Sequence, residues 1–136
     1  MTLTVNELQA LVDLAREARQ HAYAPYSRYP VGAAVRARSG RIFTGVNVEN
    51  AAFPHTMCAE RTAIFTAVTA GEREFEAIAV VTANGGSPCG GCRQVMTEFG
   101  LDTIVVLANE RGNILKQLTV GQLLPEAFGP ASLPGP

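Results

Sequence analysis

The chain has 136 residues, 47% of them hydrophobic and 17% charged, and a formal net charge of −1. That length fits one domain with a core of its own. The charge balance speaks against a nucleic-acid partner, whose binders carry a basic face. No apolar run approaches the ~18 residues of a membrane span, and the N-terminus reads as a helix rather than a charged and then apolar leader. The expectation is a cytoplasmic chain with reduced thiols and no membrane or nucleic-acid partner.

Thr4-Val5-Asn6-Glu7 has the form of a capping box, flanked by Leu3 and Leu8 as a hydrophobic staple. Leu8, Leu11, Val12, Ala15, Ala18 and Ala22 follow at helical spacing, so a first helix is predicted to about Ala22. Ala24-Pro25-Tyr26-Ser27 breaks it. Residues 31–38 and 41–48 read as two strands joined by a two-residue turn at Ser39-Gly40. Arg36, Arg38 and Arg41 cluster there, as on a solvated hairpin tip.

A loop over 49–57 leads into a helix over 58–70, stopped by Gly71. Residues 77–82 form a short apolar run, the mark of a strand buried on both faces. After a loop over 84–88, a helix is predicted over 89–99, then a buried strand over 103–108. A turn at Arg111-Gly112-Asn113 introduces a weaker strand over 114–118, and a short helix follows over 120–124. With no repeat or linker, residues 1–136 are expected to form a single domain, frayed over 131–136. The predicted fold class is α/β: three α/β/α layers around a mixed sheet of about five strands. Two βαβ crossovers imply parallel pairs at its centre.

Three cysteines, an odd number in a reducing compartment, point to metal or redox chemistry rather than a disulfide framework. Cys89-Gly90-Gly91-Cys92 is a C-x-x-C pair, which alone fits half a structural zinc site, a redox pair or part of a catalytic metal site. Cys58 opens the other internal helix, as Cys58-Ala59-Glu60. Helix N-termini favour thiolates, and parallel strands place the helices that follow them at one sheet edge. Three protein ligands with an open fourth position is the pattern of catalytic zinc. His55, the nearby candidate for a fourth ligand, would close the site and make it structural. Glu60 taken alone is a first-turn carboxylate that suits the helix dipole. Beside a zinc site it can also take a proton from water and pass protons to a substrate.

Cys-Ala-Glu, 27 residues and then Pro-Cys-x-x-Cys resembles the zinc deaminase signature. The strings Cys58-Ala-Glu-Arg-Thr-Ala-Ile64 and Ser87-Pro-Cys-Gly-Gly-Cys-Arg-Gln94 resemble the small homotetrameric cytidine deaminases. So do Ala24-Pro-Tyr-Ser27, Pro30-Val-Gly-Ala-Ala34, Asn47-Val-Glu-Asn-Ala51 and Leu123-Leu-Pro125, so the likeness spans nearly the whole chain. It implies one Zn²⁺ per subunit on Cys58, Cys89 and Cys92, with Glu60 moving protons. It places Asn47 and Glu49 on the ribose hydroxyls, the Ala59 N–H on the pyrimidine carbonyl, and Tyr29, where the family usually has Phe, against the base. Gly91 stands where Ala is more frequent. Arg61 would offset the charge of three thiolates. A homotetramer is implied, with Phe53 and Phe128 as candidates to enter a neighbour's pocket. The implied reaction is hydrolysis of cytidine and deoxycytidine to the uridines with release of ammonia. A blasticidin-type nucleoside-antibiotic deaminase and a non-catalytic zinc module are the alternatives.

Overall fold

The computed structural model describes residues 3–135. Thr4 caps the first helix as its sequence implies: its N–H donates to Glu7 Oε1 at 2.9 Å, and the Glu7 N–H donates to Thr4 Oγ1 at 3.1 Å. In chain order the elements are α1 (Val5–Arg19), β1 (Gly32–Ala37), β2 (Ile42–Val46), α2 (Ala59–Thr69), β3 (Phe75–Val81), α3 (Gly90–Thr97), β4 (Ile104–Ala108), β5 (Ile114–Thr119) and α4 (Val120–Leu123). Short 3-10 turns at Phe53–His55 and Pro130–Ser132 complete them, the second overlapping the start of the tail expected to fray over 131–136. Pro136 lies outside the described residues. α1 ends three residues early, because Gln20–Ala22 closes with tighter turns and Tyr23 leaves to bridge Val48.

The strands form one mixed sheet in the order β2-β1-β3-β4-β5, with helices on both faces, which is the expected three-layer α/β/α fold. Leu8, Leu11, Val12 and Ala15 of α1 pack on Ala34, Ala77, Ala79, Val81, Val106 and Ala108. The opposite sheet face carries Val35, Ile78, Val80, Val105 and Leu107. It meets Ala63, Ile64 and Ala67 of α2, Met96 of α3, and Val120 and Leu123 of α4. No helix among the described residues is long and apolar enough to cross a membrane.

Two expectations are corrected. Among the described strands only β3 and β4 pair in parallel; β1 lies antiparallel between β2 and β3, so the sheet has one central parallel pair rather than two. The burial patterns give the reason. β1 is buried on both faces almost throughout and belongs inside the sheet, whereas β2 is largely exposed and takes an edge. The hairpin turn also holds three residues rather than two: the Ala37 N–H bonds to the Arg41 carbonyl, leaving Arg38-Ser39-Gly40 as the loop. Gly40 has φ +93°, the left-handed third position that such a loop requires. The basic cluster pairs with acidic neighbours: Arg36 with Glu7 and Glu76, Arg38 with Glu74, and Arg41 with Glu72.

β2, β3 and β4 still run in one direction, since both neighbours of β1 oppose it. α2 follows β2 and α3 follows β3, so both helices begin at the same sheet edge. α2 can sit close because β2 has glycine at its crossing. A Cβ on Gly45 would fall 2.4 Å from the Ala63 nitrogen and 2.7 Å from the Ala59 carbonyl oxygen.

Candidate metal centre and pocket

Cys58 and Cys89 are the N-cap residues of α2 and α3, both with extended backbone. Cys92, in the first turn of α3, is buried. The three sulfurs lie within 4.8 Å of one another and form a cluster capable of coordinating a metal ion. Bonds of ~2.3 Å to a tetrahedral zinc would set sulfurs about 3.8 Å apart, and Cys58 Sγ and Cys89 Sγ are 3.7 Å apart. His55 is exposed in its 3-10 turn and stands outside the cluster.

The electrostatics suit thiolates. Hydrogen bonding with Cys92, and then with Arg61, pulls the Cys58 thiol down to about 5 against the opposing effect of burial. Cys92 is pushed up by that same bond and by burial. Arg61 Nη2 donates to Cys58 Sγ at 3.2 Å, and its Nε is buried without a hydrogen-bond partner among the described residues. The guanidinium also lies over Gly91, where a Cβ would meet Arg61 Cζ at an ordinary 3.7 Å, so an alanine would fit there.

Glu60 is 5% exposed, on the first turn of α2. Burial pushes its carboxyl above the ordinary value, its own backbone N–H pulls the other way, and the nearby Cys58 charge adds to the rise. Ala59, also buried, contributes one of the first-turn amides that a helix leaves without an internal partner.

Asn47 and Glu49 lie on an extended segment held between two others. The Tyr23 N–H bonds to the Asn47 carbonyl and the Glu49 N–H to the Tyr23 carbonyl, while Val48 exchanges both backbone bonds with Met57, next to Cys58. Asn47 and Glu49 are buried and Val48 between them is exposed, as residues on alternate sides of a strand should be. Their side chains grip the preceding loop. Asn47 Nδ2 donates to the Tyr29 carbonyl at 2.9 Å, and Asn47 Oδ1 accepts from the Val31 N–H at 2.8 Å. Glu49 Oε1 accepts the N–H groups of Tyr26 and Ser27, and Oε2 accepts the Ser27 hydroxyl. Those bonds, the Ser27 hydroxyl foremost, hold Glu49 below the usual carboxylate range.

Tyr29 is 36% exposed, and its hydroxyl donates to Asn84 Oδ1 at 2.7 Å. The added oxygen therefore ties the Ser27–Pro30 loop to the 84–88 loop that leads to Cys89. A Cβ on Gly86 would stand 2.5 Å from that oxygen. Phe53 and Phe128 are 75% and 60% exposed, and this chain buries neither over its own thiols. The sequence alone does not single out Ser27, Asn84 or Arg93. Ser27 and Arg93 stood inside quoted motifs, but their partners could not be read from spacing.

A three-layer fold with a three-thiol cluster at adjoining helix starts and a buried glutamate beside it defines a metal-site α/β enzyme class. A sequence profile described as the cytidine and deoxycytidylate deaminase zinc-binding region matches residues 5–108. A cytidine deaminase of Sporosarcina psychrophila is 48% identical over 130 residues, covering 93% of this chain and 95% of that protein. One of Halalkalibacterium halodurans is 50% identical over 123 residues, 88% of this chain and 92% of that protein. The crystal structure of cytidine deaminase from Burkholderia pseudomallei superposes with a TM-score of 0.85 at 47% identity, covering 93% of this chain and all of that one. That of the Mycobacterium tuberculosis cytidine deaminase gives 0.80 at 36%, covering 94% and 99%. The chain belongs to the cytidine and deoxycytidylate deaminase zinc-binding family, and its general activity is that of a hydrolytic deaminase of this class.

Proposed function

We propose that the protein deaminates free cytidine and deoxycytidine to uridine and deoxyuridine, releasing ammonia. The observation that carries this is the convergence of Cys58, Cys89 and Cys92 within 4.8 Å, with Glu60 buried on the first turn of the helix that Cys58 caps. Similarity to proteins named cytidine deaminase along nearly their full length supports the substrate class.

Cys58, Cys89 and Cys92 would hold one Zn²⁺, a Lewis acid that makes water acidic enough to act as a nucleophile near neutral pH. Arg61 offsets the negative charge of three thiolates, which otherwise works against that acidity. Glu60 takes one proton from the attacking water and passes it to the ring nitrogen, then carries the second proton of that oxygen to the leaving amine. Its burial suits it, because a carboxyl raised toward neutrality both accepts and gives a proton. The Ala59 N–H donates to the pyrimidine carbonyl. Asn47 and Glu49 offer their remaining hydrogen-bonding capacity to the ribose hydroxyls. Tyr29 lines the base side, and a neighbouring copy supplies Phe53 or Phe128 in a homotetramer.

The test is metal analysis together with the absorbance change as cytidine is converted. The expected result is one zinc per chain and steady turnover, and Glu60→Ala should retain zinc while losing turnover by at least about 10²-fold. Wild-type turnover in Glu60→Ala overturns the assigned role. A chain that binds zinc but leaves cytidine and deoxycytidine intact overturns the substrate.

A further inference from the structure

Arg93 and Gln94, which close the string Ser87-Pro-Cys-Gly-Gly-Cys-Arg-Gln94, play no part in the chemistry above. Arg93 lies half-buried in α3, and its side chain spreads over three acceptors. Nε donates to the Pro88 carbonyl at 2.8 Å, Nη2 to Ser87 Oγ at 2.8 Å, and Nη1 to the Leu123 carbonyl at 2.7 Å. The first two acceptors belong to the residues that run into Cys89; the third is at the end of α4. Gln94 makes a parallel tie, its Nε2 donating to the Phe128 carbonyl at 2.7 Å.

The three thiols are not held equally well. Cys92 is buried on the inner face of α3, and Cys58 takes a hydrogen bond from Arg61. Cys89 is exposed at the end of a loop, and its sulfur contacts Cys58 at 3.7 Å. Its place is therefore set chiefly by the segment that enters it, and Arg93 grips that segment at two successive residues, through the Pro88 carbonyl and the Ser87 hydroxyl. A guanidinium suits this task, since its rigid fork serves several acceptors in one plane, which a lysine ammonium cannot reproduce.

We propose that Arg93 is a positioning residue for the metal centre, bracing the Ser87–Pro88 peptide against the end of α4 so that Cys89 stays in register with Cys58 and Cys92. The inference rests on the reading of the three thiols as a zinc site. Partners of this kind, one step removed from the metal, commonly alter its retention by about 10- to 100-fold.

The test compares the zinc-loaded full chain with Arg93→Lys, Ser87→Ala and Arg73→Lys, measuring the rate of zinc transfer to a competing chelator and the thermal midpoint of each zinc-free chain. Arg73 is the control: it donates to the Val68 and Glu72 carbonyls, in the segment that ends α2, far along the helix from the thiols. Arg93→Lys should release zinc about tenfold faster or more. Ser87→Ala, which removes one bond and keeps the arginine, should shift the rate the same way by less. Arg73→Lys should release zinc at the wild-type rate. Wild-type release from both Arg93→Lys and Ser87→Ala overturns the proposal, as does equal acceleration in Arg73→Lys, which would mark general loosening. Should Arg93→Lys fail to fold, wild-type release from Ser87→Ala alone overturns it. Wild-type protein that retains no zinc removes the metal reading itself, a result distinct from tight binding that Arg93→Lys leaves unchanged.

Discussion

The hydroxyl that separates Tyr29 from phenylalanine has two neighbours, Asn84 Oδ1 at 2.7 Å and the position a Gly86 side chain would take. The two facts make a pair of linked substitutions. Gly86→Ala should push the hydroxyl off Asn84 and cost about 1 kcal/mol, the net worth of one hydrogen bond. Tyr29→Phe should cost a similar amount, and adding Gly86→Ala to it should cost almost nothing further. Chemical denaturation of the four proteins in this cycle measures the coupling; additive losses would show that the hydroxyl and Gly86 act independently. Glu49 supports a second prediction. Its native carboxyl is held below the ordinary value of 4.5 by the Ser27 hydroxyl and the Ser27 and Tyr26 amides. A depressed native value means its contribution is fully present above 4.5 and is lost as pH falls through the native value. The stability advantage of wild type over Glu49→Gln should therefore be full near neutrality and vanish in acid, read from urea midpoints across that range. An advantage unchanged in acid would show that the carboxylate's charge does not hold the loop.

At the scale of elements, the decisive contact is α2 against β2. Gly45 leaves no room for a methyl group between the strand and the backbone at Ala59 and Ala63. Gly45→Ala should destabilise the chain by about 1–3 kcal/mol through overpacking. It should also weaken zinc retention, because the displaced turn carries Cys58 and Glu60. An unchanged thermal midpoint and metal content would contradict this. Most elements were legible from hydrophobic period and caps: Thr4 and Glu7 announced α1, and the apolar run at 77–82 announced β3. The insertion of β1 between β2 and β3 was not, because a βαβ order says which way strands run but not which strand lies between them. The three-residue turn at Arg38-Ser39-Gly40 was missed because Ser-Gly suits either loop length. The thiol cluster was legible because cysteine spacing and helix starts coincide. The double duty of Asn47 and Glu49 was not, since their partners at residues 26–31 lie some twenty residues away in sequence.

For the molecule as a whole, the exposed apolar side chains are numerous. Phe65 is exposed on the outer face of α2, with Met57, Thr62, Thr66 and Thr69 around it, and Phe53 and Phe128 protrude elsewhere. Covering them with further copies of the chain is the physical counterpart of the proposed homotetramer. Light scattering should give a mass near four times 14.4 kDa, and Phe65→Asp should lower it. A mass of one chain in the wild type would rule the assembly out.

The place of β1 in the sheet has a consequence for the order of folding. Cys58 follows one of its flanking strands and Cys89 follows the other, so the hairpin by itself leaves Cys58 with no sulfur to meet. Only when β3 has docked along the far side of β1, closing a long stretch of chain, do the three sulfurs converge. The metal-binding set is thus complete only when β3 has paired with β1, and a zinc ion held by all three thiols certifies that the strands have found their native order.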